Sequence, residues 1–137
     1  MASSPHSTAA RLSHWRSTIA AVLLHDRYGL VLTVVAAAGA VAAIVGLFRP
    51  AILPWVRVYA RVTIALVAVQ VVIGLVLVLT GERPAQLIHW FYGAATLLTL
   101  PLAMLIGKRI GGREEQVWLA GGAVMTVLFA LRAIATG

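Results

Sequence analysis

Apolar positions in this chain gather into four long runs, residues 28–48, 55–80, 85–107 and 116–135, separated by short polar connections. Each run is about 20 to 26 residues long. At ~1.5 Å per residue that spans roughly 30 to 39 Å, enough to cross a hydrocarbon core of about 30 Å with some tilt. Lipid offers no partner to backbone N–H and C=O groups, so such runs close their own hydrogen bonds as helices. The pattern predicts an all-α integral membrane protein with four spanning helices.

Before the first run the periodicity changes. Residues 1–10 are small and polar, as in a tail. From Leu12 the apolar positions recur as Leu12, Trp15, Ile19 and Val22/Leu23, with Arg11, His14 and Arg16 between them. Spacings of three and four place these on one helix face. Residues 1–27 are therefore expected to form a tail and an amphipathic helix in the headgroup layer, with Trp15 at the interface; the alternatives are a simple cytosolic tail or an N-terminal extension of the first spanning helix. The short apolar run near Thr18 is followed by His25-Asp26-Arg27 rather than by a small-residue cleavage site, so this segment is expected to be retained. Residues 28–137 make up the transmembrane domain.

The connections are short. Arg49-Pro50 and Pro54 end the first helix, Gly81-Glu82-Arg83-Pro84 separates the second and third, and Lys108-Arg109 with Gly111-Gly112-Arg113 separates the third and fourth. Such connections make neighbouring helices antiparallel, giving an up-down-up-down bundle. Pro84 is expected in the first turn of the third helix, where a missing N–H matters little. Pro101 removes a hydrogen bond to the Leu97 carbonyl and is expected to kink that helix. Glu114 and Glu115 suit the N-terminus of the fourth. Small residues over 36–43, with Gly39 four before Ala43, mark a close helix contact, as do Gln70 and Gly74.

Charge refines this picture. The chain has 11 Lys and Arg against 4 acids and a pI near 11.4, with 61% apolar and 11% charged residues. The cations sit at the ends of the apolar runs, the arrangement of headgroup anchors rather than of a nucleic-acid surface. Six of them (Arg49, Arg57, Arg61, Lys108, Arg109, Arg113) share the face of connections one and three. Arg11, Arg16, Arg27, Arg83 and Arg132 lie on the other face, and the dense hairpin at 108–113 tips the expectation towards connections one and three facing the cytoplasm; a bacterial cytoplasmic membrane is the expected location. With no cysteine, disulfides, thiolate metal sites and thioether-linked haem are excluded.

Antiparallel packing brings the start of helix one, the end of helix two, the start of helix three and the end of helix four to one face. His25, Asp26, Arg27, Glu82, Arg83, Gln86, His89 and Arg132 then fall near one layer, with His89 about one turn into its helix. Ionisable groups at such depth are functional candidates. His25 and His89 are candidate axial ligands of a b-type haem, Gly93 leaves room for a flat macrocycle one turn beyond His89, and Arg27, Arg83 and Arg132 are candidate partners for its propionates. Two other readings stay open: histidines simply resting in the headgroup layer, and a pocket at the same place for a quinone, a pigment or a lipid headgroup. Gln70 is expected to hydrogen-bond across a helix pair, and Trp90, Phe91 and Tyr92 to form an aromatic belt. No hydrolase, P-loop or zinc-protease motif occurs. No acid lies in a helix core, which disfavours a proton-coupled transporter or channel.

The stretch Gln70-Val-Val-Ile-Gly74, then Thr80-Gly81 and His89, resembles the first part of the half-repeat of haem A synthases, a family of four-helix haem-handling bundles. The resemblance covers about 20 residues. The chain lacks that family's acidic residue before the histidine, its histidine on the fourth helix and its long outer loop. What the resemblance implies is confined to His89 as a haem ligand, without synthase activity. Size, lipid-compatible faces and the absence of catalytic groups lead to the expectation of a non-catalytic accessory or scaffold subunit. Its partners would be other integral membrane subunits of a respiratory or photosynthetic electron-transfer complex, and lipids. The alternative expectation is a haem- or quinone-binding electron-transfer protein using His25 and His89.

Overall fold

The computed structural model describes residues 5–82, 84 and 86–137, with side chains from residue 19 onward. It contains four long helices: α1 (Pro5–Phe48), α2 (Leu53–Leu79), α3 (Ile88–Ile110) and α4 (Gly112–Thr136). All four are long and apolar enough to span a bilayer, the first over Ile19–Phe48 and the second over Pro50–Leu79. The chain is an all-α four-helix bundle and an integral membrane protein.

Two of the expected boundaries move. The N-terminal segment is helical, as its periodicity required, but it does not end at His25-Asp26-Arg27. It continues unbroken into the first span as one 44-residue helix. At ~1.5 Å per residue that is roughly 66 Å, about twice the hydrocarbon thickness. Charged residues mark where lipid gives way to water, yet they have ordinary helix propensities and do not terminate a helix. Proline does. Arg49, just before Pro50, is driven out of the helical region to φ −132°, ψ 79°, and a single 3-10 turn, Pro50–Ile52, leads into α2.

The second shift concerns α3, which starts at Ile88 and not at 85. Pro84 therefore lies in the connection, and His89 sits in the first turn of α3 at the rim of the bundle rather than a turn inside. Three-residue turns lead into the helix, with His89 N–H donating to Gln86 O (3.1 Å) and Trp90 N–H to Leu87 O (3.2 Å). At the other end α3 passes to α4 through Gly111 alone. Gly111 (φ 77°) and Gly112 (φ 61°) both occupy the left-handed region, where a Cβ is disfavoured. This tight reversal puts Glu114 and Glu115 in the first turn of α4, where acids complement the helix dipole.

Around the bundle the order is α1, α2, α3, α4. The α3–α4 contact is the most extensive, α1 packs on both α4 and α2, and α2 meets α3 only slightly. The core is built from small residues with a few larger ones: Ala40, Ala43, Val56, Ala60, Leu100, Leu119, Ala120 and Ala123. The expected contact at 36–43 is present. A Cβ added at Gly39 would stand 2.7 Å from Cδ1 of Tyr59, whose hydroxyl donates to Val35 O on α1 (3.2 Å). Buried Thr33, Thr63, Thr96 and Thr126 each return their hydroxyl to the carbonyl four residues back at 2.7–3.0 Å, which satisfies these four donors inside the bundle.

Candidate functional site

His25 and His89 come together at one rim of the bundle. Their ring centroids are 6.4 Å apart and their planes inclined by 56°. The two residues are on α1 and α3, which are not neighbours around the bundle, so their rings meet across its diagonal.

Each histidine is positioned by a neighbouring helix. On α2, Gln70 Nε2 donates to the backbone carbonyl of His25 (3.0 Å) and makes a longer contact with His25 Nε2 (3.4 Å). The glycines make this packing possible in a reciprocal way. A Cβ at Gly29 would stand 3.0 Å from Gln70 Nε2, and one at Gly74 would stand 3.1 Å from His25 Cε1. His25 and Gly29 on α1 thus mesh with Gln70 and Gly74 on the antiparallel α2, each polar side chain lying over the other helix's glycine. The cross-helix hydrogen bond and close contact expected of Gln70 and Gly74 are both present.

His89 is fixed by α4. Its Nδ1 lies 2.9 Å from Ala133 O, one of the last four carbonyls of α4, which also accepts from the Thr136 hydroxyl at 3.2 Å. A carbonyl can only accept, so Nδ1 carries a proton, and in the neutral ring Nε2 keeps its lone pair. The backbone of Gly137 packs on the same ring, since a Cβ there would stand 2.9 Å from His89 Cε1.

Two polar atoms at this site, His25 Nδ1 and Gln70 Oε1, are buried without a hydrogen-bond partner among the described residues. In a lipid-facing bundle such atoms are costly unless something satisfies them. Gly93, one turn beyond His89, has no heavy atom within 4 Å of the position a Cβ would take, so space is open beside the pair.

The other members of the cluster are more peripheral. Asp26, Arg27, Glu82, Gln86 and Arg132 are exposed, and neither Arg27 nor Arg132 forms an ion pair among the described residues. Arg83 lies outside the described residues. Trp90 and Phe91 face outward as a belt, whereas Tyr92 turns in against Phe129, with centroids 6.4 Å apart. No group of three or more His, Cys, Asp or Glu able to hold a metal ion occurs among the described residues.

At the opposite end a second polar contact joins the other diagonal. Arg57 on α2 grips Glu115 on α4 bidentately, Nε to Oε1 at 2.7 Å and Nη2 to Oε2 at 2.6 Å. In residue order Arg57 reads as a headgroup anchor and Glu115 as an acid at a helix N-terminus, and nothing there signals their pairing. The pair is asymmetric: the Arg57 side chain is 39% exposed and that of Glu115 only 8%. Removing one partner leaves the other unsatisfied, at about 1–3 kcal/mol. Arg57→Ala, which leaves the more enclosed carboxylate alone, is therefore expected to lower stability by about 2 kcal/mol. Glu115→Ala, which leaves a guanidinium that water reaches, is expected to cost about 1 kcal/mol. Thermal unfolding of both variants in mild detergent tests this order, and a larger loss for Glu115→Ala would contradict it.

Fold and site together define a small integral membrane four-helix bundle with a paired-histidine site at one rim. Compared with protein-family models, curated proteins and solved structures, the chain matches none.

Proposed function

We propose that this chain is an electron-transfer membrane protein that holds a b-type haem between His25 and His89. The observation that supports the reading is the 6.4 Å separation of the two rings. Two imidazoles on opposite sides of one metal ion, with metal–nitrogen bonds of roughly 2.0–2.1 Å, have ring centres about 6 Å apart. The hydrogen bonding also suits ligation. His89 directs its Nδ1 proton to Ala133 and keeps Nε2 as a lone-pair donor, the second-shell arrangement usual for a metal-bound histidine. His25 is held mainly through its backbone carbonyl, and its ring makes only one long contact. Gly93 offers clearance beside the pair. Arg27 and Arg132, exposed within two residues of His25 and Ala133, supply guanidinium groups for carboxylates at the rim. Bound haem supplies one-electron transfer. The same reading places the protein in a bacterial cytoplasmic membrane with the 108–113 hairpin inside. An absorption spectrum of protein purified from haem-replete cells is expected to show a Soret band, and a colourless preparation would end the proposal.

A second role is supported by α2. Its most apolar window is only 17% buried, and Val58, Val62, Val69, Val72 and Val76 are exposed along it. That face, next to the slight α2–α3 contact, is suited to docking an accessory subunit against a larger membrane complex. Extraction in mild detergent is then expected to bring down other integral membrane subunits, with the interaction weakened by Val69→Trp and Val72→Trp together. Migration of the protein alone at every detergent strength would count against this role.

A further inference from the structure

The end of the bundle opposite the histidines carries an open groove of about 420 Å³ between the α1–α2 turn and the start of α4. One wall is apolar, from Leu47, Pro50 and Leu53, and the other is polar, from Arg57, Arg113 and Gln116. We infer that this groove binds the phosphodiester headgroup of an acidic glycerophospholipid.

The polar wall favours an anion. Glu115 also borders the groove, but Arg57 occupies both of its carboxylate oxygens. A guanidinium has five N–H donors in a fixed fork. Two of them hold Glu115, and the remainder stay available on a group the ion pair has oriented. The Arg57–Glu115 pair is neutral, so the net charge at the groove comes from Arg113 and from the N-terminus of the 25-residue α4. The earliest backbone bond there is Glu115 N–H to Gly111 O at 3.4 Å, which leaves the N–H groups of the preceding turn without helical acceptors.

Gln116 points independently to a ligand. It is only 6% exposed, lines the groove and makes no side-chain hydrogen bond among the described residues. An amide 6% exposed and without a protein partner, lining a groove beside two arginines, offers a donor and an acceptor to a polar occupant. The apolar wall makes that occupant amphiphilic. Phe48 and Trp55, 81% and 75% exposed, follow Leu47 and Leu53 closely in sequence, at the end of the bundle where aromatic side chains meet headgroups. A phosphate on the Arg113 side would leave glycerol and the first acyl carbons against Leu47 and Leu53.

The test is lipid titration of the detergent-purified protein followed by native mass spectrometry. Phosphatidylglycerol is expected to form one tight adduct, and phosphatidylcholine a markedly weaker one. Arg113→Gln combined with Gln116→Leu is expected to weaken the phosphatidylglycerol adduct roughly tenfold. Arg109→Gln, which removes the same charge outside the groove, is expected to change it by less than about twofold. Should the double variant fail to fold by thermal melting, Arg113→Gln alone carries the comparison, because Arg113 is exposed. Equal retention of phosphatidylcholine, unchanged binding in the variants, or displacement by inorganic phosphate would each overturn the inference, the last by showing a site for free anions instead of lipid.

Discussion

His89→Ala is expected to abolish the Soret band while leaving the four helices intact. The substitution removes the imidazole whose Nδ1 is tied to Ala133 O at 2.9 Å, and with it the free Nε2. The fold loses one hydrogen bond at the rim, worth about 1 kcal/mol, so helical circular dichroism should persist. His25→Ala should give the same spectral loss from the other side. Gly74→Leu offers a third route that touches neither ligand. Its side chain would press on the His25 ring from a Cβ only 3.1 Å from Cε1, which should displace the imidazole and shift or weaken the band. Gln70→Leu removes the donor to the His25 carbonyl and is expected to broaden the band without eliminating it. If His89→Ala retained the full wild-type band, the haem would have to sit elsewhere and the paired-histidine site would lose its assigned role.

Gly122→Leu is expected to cause the largest loss of stability of any single substitution outside the polar pairs. Gly122 on α4 faces Ala103 on α3 so closely that an added Cβ would fall on the Cβ of Ala103. This is a backbone-anchored atom, and no rotamer change can move it aside. The helices must separate, and their interface is the most extensive in the bundle. A second close approach lies along the same interface, where a Cβ on Gly107 would stand 3.1 Å from Glu115 Cα, so separation at one point forfeits contact at the other. Overpacking of this kind costs about 1–3 kcal/mol, occasionally more, and dispersion contacts are the main force between helices in lipid. The neighbouring glycine provides the control. Gly121 has nothing within 4 Å of an added Cβ, so Gly121→Ala should be neutral or slightly stabilising through helix propensity. Gly122→Ala should destabilise despite the same propensity gain. Equal melting temperatures for the two alanine variants would show that the close contact carries no weight.

The four spans could be read from residue order because hydrocarbon permits so few backbone solutions. A run of 20 or more apolar residues has to become a helix. The boundaries were harder, and for an identifiable reason. His25-Asp26-Arg27 reports the depth of the chain in the bilayer and marks the membrane boundary, which does not coincide with a helix end. Helix continuity is decided instead by backbone donors and sterics, which proline controls at Pro50 and glycine at Gly111. The glycine-four-apart pattern of Gln70 and Gly74 was visible. The matching pair His25 and Gly29 on α1 was equally present in the sequence, and reading the two together would have indicated their meshing.

Sequence alone determined that this protein crosses the membrane as four antiparallel helices. It also determined which ionisable residues share each face, because span length and short connections fix depth along the membrane normal. Only the tertiary structure decided which of those residues meet. Depth says nothing about how far each helix is rotated about its own axis, and that rotation is set by the close contacts of Gly39, Gly107 and Gly122 with their neighbours. From it follow the approach of His25 to His89 across one diagonal and the grip of Arg57 on Glu115 across the other.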